Sequence, residues 1–165
     1  MTDEVPERAA LRLAGFALAH AIWSIEDGES LCTLSLLERA GGERELGRYE
    51  APTIPDSLEG AFADLEARLA RDDRAVVVFD GYITLPGGER TDALIADVFG
   101  AGMRHIGRLV QRYRPATRSP RRFSEPWGFA LVGPPEAGDS FGPAADPLVL
   151  AGALEHENAA HHFRF

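Results

Sequence analysis

The sequence predicts a single α+β domain spanning 1–165, a largely antiparallel sheet of five or six strands carrying three helices. Three observations lead there. An apolar fraction of 45% with 26% charged residues over 165 residues is the composition of one domain able to bury a real core. The strand-like runs come in pairs of matched length, joined by the short turn sequences "AGGE" and "PGGE", which are hairpin links rather than crossovers. Helical periodicity is confined to three stretches between and after those pairs. There is no internal repeat and no stretch with the composition of a domain linker.

The first helix is expected over about 6–25, with Pro6 in its first turn and Gly28 as terminator. Leu11, Ala14, Leu18, Ile22 and Ile25 recur at helical spacing, and Leu13, Phe16 and Trp23 widen the apolar stripe beyond a normal amphipathic face. Such a helix is either covered on two sides or placed at a subunit interface. The run "LAGFALAHAIWSI" is too short to cross a bilayer, and Asp3, Glu4 and Glu7 precede it where a secretory signal carries cations. A cytoplasmic protein is the expectation.

A hairpin follows, with strands at 30–39 and 44–50. The second helix is placed at about 57–71, with Asp56 as N-cap, Glu59 at the capping-box spacing, and Leu58, Phe62, Leu65 and Leu69 as its core stripe. Strands 75–85 and 90–99 form the next hairpin. Asp80-Gly81 could itself turn the chain, but the matched lengths favour one long strand with a bulge at Gly81. The segment 104–114 fits a third strand of this meander. It also fits a helix with Met103, Ile106, Val110 and Tyr113 on one face; Gly107 and the approach to Pro115 favour the strand. A last strand is expected at 127–133, then a long loop, then a closing helix at 147–160 with Asp146 as N-cap and Pro147 at its first position.

Composition excludes several chemistries. The chain contains no lysine, which removes Schiff-base and pyridoxal chemistry, the Walker-type phosphate loop and the kinase lysine. The single cysteine, Cys32, rules out an internal disulfide and a multi-cysteine zinc site, and its apolar surroundings suggest a core residue. A net charge of −9 opposes general affinity for nucleic acid or anionic membrane.

Three motif-like stretches fail on their mechanics. "GDSFG" has the Gly-x-Ser-x-Gly form, with Ser140, Asp146 and a later histidine in order, yet prolines stand where the strand and helix of a nucleophile elbow belong. "HENAAHH" carries one residue too many for a zincin, and on a helix His156 and His161 would point ~140° apart. Glu157 with His161, or Asn158 with His162, would share a face without making a strong zinc site. Gly100 and Gly102 follow a strand as in a dinucleotide turn, but His105 occupies the third glycine position and Gly107 comes two residues late. Asp80, Arg90 and Asp92 flank a turn whose residues have backbone reasons of their own. No cofactor and no metal are expected.

The arginines weigh more. Residues 98–124 hold seven arginines and no acid, whereas 1–97 hold 20 acids against nine arginines. If 104–114 is a strand, Arg108, Arg112 and Arg114 share a face with Val110. Arg104, Arg108, Arg112 and Arg114 are therefore the candidate anion- or partner-binding residues, since the guanidinium fork suits carboxylate and phosphate. The simpler reading is that they neutralise acidic neighbours.

Sequence alone does not fix a function. It favours a small acidic non-catalytic binding or regulatory protein acting through protein–protein contact. That contact is self-association through the first helix, giving a homodimer, or the masking of a basic partner as an immunity protein does. The alternative is a small enzyme or sensor for an anionic metabolite held by the arginine cluster. The reading leans away from an enzyme because no nucleophile–base pair or metal set survives inspection.

Overall fold

A computed structural model describes residues 4–117, 128–137 and 145–165. Helix α1 spans Glu4–Ile25, strands β1 and β2 span Thr33–Glu38 and Arg44–Tyr49, and α2 spans Ile54–Arg68. Strands β3, β4 and β5 follow at Arg74–Thr84, Arg90–Phe99 and His105–Arg114. Short strands β6 (Ala130–Leu131) and β7 (Glu136–Ala137) precede α3, Ala145–Leu154, and a 3-10 turn at Ala160–Phe163. The sheet runs β2-β1-β3-β4-β5-β6, with β7 also on β5, every pair antiparallel, and it is curled. The α+β class, the two hairpins and the three-strand meander are as the sequence predicts, and 104–114 is a strand.

The two faces of the sheet bury different clusters. Leu34, Leu36, Val76, Val78, Leu94, Ala96, Val98, Leu109 and Tyr113 face α1, and Val149, Ala153, Ala159 and Phe163 complete that core from the C-terminal segment. Leu37, Ala75, Val77 and Phe99 face the other way, against Ala61 and Leu65 of α2. The alternation follows from the two-residue period of a strand.

Helix α1 is apolar nearly all round because it is covered twice, by the sheet and by α3. Ala10, Leu13, Ala14, Ala17, Leu18, Ala19, Ala21 and Ile22 are fully buried. Of the two expectations for this helix, burial on two sides is what the described chain shows. The second cover depends on two glycines. A Cβ built on Gly15 would collide with the Val149 carbonyl, and one on Gly152 with the Arg12 carbonyl. The helices cross backbone to backbone at a distance that only glycine on each side permits. Helix α1 ends where the sequence places its terminator: Gly28 takes φ +93° and its N–H bonds the Ile25 carbonyl.

Several expectations need correction. The N-cap of α2 is Thr53, not Asp56. Thr53 is extended and its hydroxyl accepts from the Asp56 N–H at 3.2 Å, so Pro55 sits inside the first turn, where its missing N–H costs nothing. The same helix ends at Arg68, because Leu69 is already extended. No bulge occurs at Gly81, where β3 and β4 pair in unbroken register from Ala75↔Phe99 to Thr84↔Arg90; the irregularity lies between Val98 and Phe99 on the β5 side. Strand β1 begins at Thr33 rather than 30. The strand expected at 127–133 is reduced to Ala130–Leu131 among the described residues, and β7 was not foreseen. Helix α3 starts at Ala145, ahead of Asp146, and stops at Leu154 instead of 160; the His156 carbonyl then accepts from Ala159 and Ala160, turning the chain. Ser140 lies outside the described residues.

The glycine crossing gives a paired prediction. Gly15→Ala forces two backbones apart and is expected to cost about 2–3 kcal/mol, a fall in Tm of about 5–10 °C. Gly60→Ala, in α2 with open space around its Cβ position, is expected to stabilise by about 0.5–1 kcal/mol. Thermal denaturation of both variants checks the signs.

Candidate functional site

The four candidate arginines do not converge. Arg108 is spent on Asp97, its Nε and Nη2 donating to the two carboxylate oxygens at 2.8 and 2.9 Å, and His105 Nε2 stands 3.0 Å from the same carboxylate. Asp97 is 4% exposed; burial pushes its carboxyl up, but the hydrogen bonds from Arg108 and His105 together hold it below the usual range. Arg114 Nε donates to the Gly128 carbonyl at 3.0 Å. Arg104 is exposed just before β5. Arg112 is half-buried and its Nε, fully enclosed, has no hydrogen-bond partner among the described residues. Strand parity does put Arg108, Arg112 and Arg114 on one face, paired opposite Asp97 and Ala93, as the sequence predicts.

Of the carboxylates flanking the long hairpin, Asp80 is also engaged. Asp80 accepts from the Tyr113 hydroxyl at 2.8 Å. Burial raises its pKa, and Asp92 nearby adds to the rise. Arg90 stacks over Tyr82 at 3.9 Å. The stretch is a hairpin closed by Leu85 N–H to Glu89 carbonyl and Gly88 N–H to Leu85 carbonyl bonds.

A gathering of histidines lies elsewhere, around the C-terminal half of α1. Four of the five histidines of the chain meet there. His20, on α1, and His156, just beyond α3, approach at 3.2 Å between Nδ1 and Nε2. Phe16 and Trp23 flank the pair, with ring centroids 5.1 and 5.9 Å from His156. The outer nitrogens, His20 Nε2 and His156 Nδ1, are enclosed without partners. Burial lowers both pKa values, and for His20 the neighbouring His156 and Arg48 lower it further. Six residues on, Glu26 Oε2 meets His162 Nε2 at 2.7 Å. His161 stacks beside His162 at 4.0 Å, and Phe129 lies edge-on to His162 at 5.2 Å.

This arrangement corrects the helical reading of "HENAAHH". The helix ends before His156, so the turn, not a helical face, decides where the imidazoles go. Ala159 and Phe163 anchor the segment in the core and present His161 and His162 to the end of α1. Glu26 was not singled out in the sequence. Its signal, had it been readable, was its place directly after the apolar stripe, at the helix terminus.

Beside Glu26 opens a cleft of about 440 Å³, lined by Trp23, Leu31, Cys32 and Leu34 with Glu26, Asp27, Glu29 and Arg48 around it. Cys32 is partly exposed at this wall rather than fully in the core. Trp23 is 41% exposed. No helix is long and apolar enough to cross a membrane among the described residues. No family model, curated protein or solved structure matches the chain.

The His20–His156 pair predicts a pH dependence. Both folded pKa values lie below the ordinary 6.5, so below 6.5 the unfolded chain binds more protons than the folded one. The stability from the neutral pair is complete above that value and is lost as pH falls from it through the folded pKa values. Stability measured by denaturant unfolding in chelating buffer is expected to fall from about pH 7 to about pH 5, and His156→Leu to flatten that fall. An unchanged slope in the variant would assign the acid sensitivity to other groups.

Proposed function

We propose that this chain is a non-catalytic binding protein that acts by protein–protein contact through the cleft at the end of α1. The observation that carries the reading is Trp23, a large aromatic left 41% exposed on a helix whose other apolar side chains are largely buried, standing at the wall of a cleft of mixed polar and apolar lining. Half-exposed tryptophan beside arginine is the composition of an interface anchor. Glu26, Asp27 and Glu29 around the cleft outnumber Arg48, and the net charge is −9. Charge complementarity therefore favours a basic partner that inserts one aliphatic side chain against Leu31 and Leu34. The apolar faces of α1 are occupied by the sheet and α3, which moves the contact from self-association to a different chain.

The test is a peptide array varying one aliphatic anchor within Lys/Arg flanks, with titration of the best sequences in solution. Binding is expected to weaken with salt and to lose at least ~30-fold in Trp23→Ala, the loss of an anchor worth about 2 kcal/mol. No basic sequence binding, or binding indifferent to Trp23→Ala, would reject the reading.

A second reading is favoured by one observation, the enclosed and unpartnered Nε of Arg112 between Arg108 and Arg114 on one strand face. On this reading the site takes an anionic metabolite. Inorganic phosphate and acidic metabolites would then raise Tm, and Arg112→Leu would abolish the shift; at a hundred times the dissociation constant the gain is about 2.7 kcal/mol. No shift across such a panel would dismiss it.

A further inference from the structure

We infer that Glu26, His161 and His162 form a binding site for a divalent metal ion of the zinc type. One donor atom from each lies within 4.8 Å of the others. The three come from two separate parts of the chain, the end of α1 and the turn at Ala160–Phe163, and meet only because α3 returns the C-terminal segment along α1.

The chemistry of the set selects the ion. Two imidazole nitrogens with one carboxylate oxygen suit Zn²⁺, Co²⁺, Ni²⁺ or Cu²⁺, whereas Mg²⁺ and Ca²⁺ prefer all-oxygen shells. Donors around a tetrahedral ion stand about 3.3 Å apart for bonds of about 2 Å. Glu26 and His162 are already nearer than that at 2.7 Å, and His161, exposed at the surface, has the freedom to swing in. Glu26 follows the last residue of α1, so the partial negative charge of the helix C-terminus adds to the carboxylate. Phe129, against one edge of His162, walls the site on that side. Three protein ligands leave a fourth position for water or for a group on a bound molecule. A Glu26–His162 ion pair alone would account for two of these side chains, but it gives no role to His161 stacked beside them.

The site shares Glu26 with the cleft of the partner-binding reading, but neither histidine lines that cleft, so loss of metal binding in His161→Ala is separable from loss of partner binding in Trp23→Ala. It is tested on the full chain by calorimetric titration with Zn²⁺, and with Co²⁺ followed by visible absorption. One equivalent of either ion is expected to bind, Co²⁺ giving the intense bands of low-symmetry four-coordination. His161→Ala and Glu26→Gln are each expected to weaken binding at least ~10-fold. His161 is exposed and Gln retains a hydrogen-bonding oxygen at 26, so both variants should keep the wild-type fold in far-ultraviolet circular dichroism. His105→Ala, beside Asp97, should leave the titration unchanged. No binding by the wild-type chain, binding untouched by His161→Ala, or binding untouched by Glu26→Gln would each overturn the assignment.

Discussion

The close crossing of α1 and α3, where Gly15 meets the Val149 backbone and Gly152 the Arg12 backbone, is the constraint on which the rest of this structure depends. Helix α1 carries too wide an apolar surface to be satisfied by a sheet on one side, and each buried Leu or Ile is worth roughly 1.5–3 kcal/mol. Its second cover is α3, and α3 seats this deeply only because a glycine on each helix, Gly15 and Gly152, faces the backbone of the other. From that seating the rest follows. The chain leaving α3 at Leu154 is already lying along α1, so its turn delivers His156 to His20, and its continuation, anchored by Ala159 and Phe163, delivers His161 and His162 to Glu26. A packing decision between two backbones thereby fixes the position of the titratable cluster.

Electrostatics divide along the sheet in a different way from the sequence charge pattern. Arginines of the acid-rich first part of the chain pair locally: Arg39 bonds Asp73 at 2.7 Å and Glu45 at 3.0 Å, Arg44 bonds Glu38 at 2.7 Å, and Arg68 reaches both Glu45 and Asp64. The exposed pairs of Arg68 contribute little individually, whereas Asp73 and Glu38 are buried carboxylates held by Arg39 and Arg44. Arg108 finds Asp97, a buried carboxylate that needs it, since removing one partner of such a pair strands the other charge. Arg112 finds no such carboxylate at its Nε. Among the described arginines of this segment, Arg108 is thus spent on internal neutralisation and Arg112 is not.

Much of the fold was legible because it rests on local pattern. Matched strand lengths around "AGGE" and "PGGE" gave the two hairpins, Gly28 gave the end of α1, and the width of the α1 stripe announced two covers. Parity along 104–114 placed Arg108, Arg112 and Arg114 together once the segment was a strand. What escaped was non-local or a contest between near-equivalent local signals. Thr53 displaced Asp56 as the cap because Pro55 fits the first turn of a helix as well as it fits a preceding loop. The crossing at Gly15 and Gly152 cannot be read from either helix separately. Extending α3 to residue 160 scattered the histidines over helical faces, when a turn at His156 brings them to Glu26. Asp97 as the partner of Arg108 needed the β4–β5 register, which the irregularity at Val98/Phe99 shifts.

The most direct test of this account is native-state hydrogen exchange followed across increasing denaturant. If α3 is an integral cover of α1, the amides of 10–22 and 149–154 should be among the slowest in the protein. Both sets should exchange only through global unfolding, with the same free energy and the same denaturant dependence as the central strands β3 and β4. Exchange of α3 through a smaller, separate opening, with α1 still protected, would contradict it and reduce α3 to an appendage on a core complete without it.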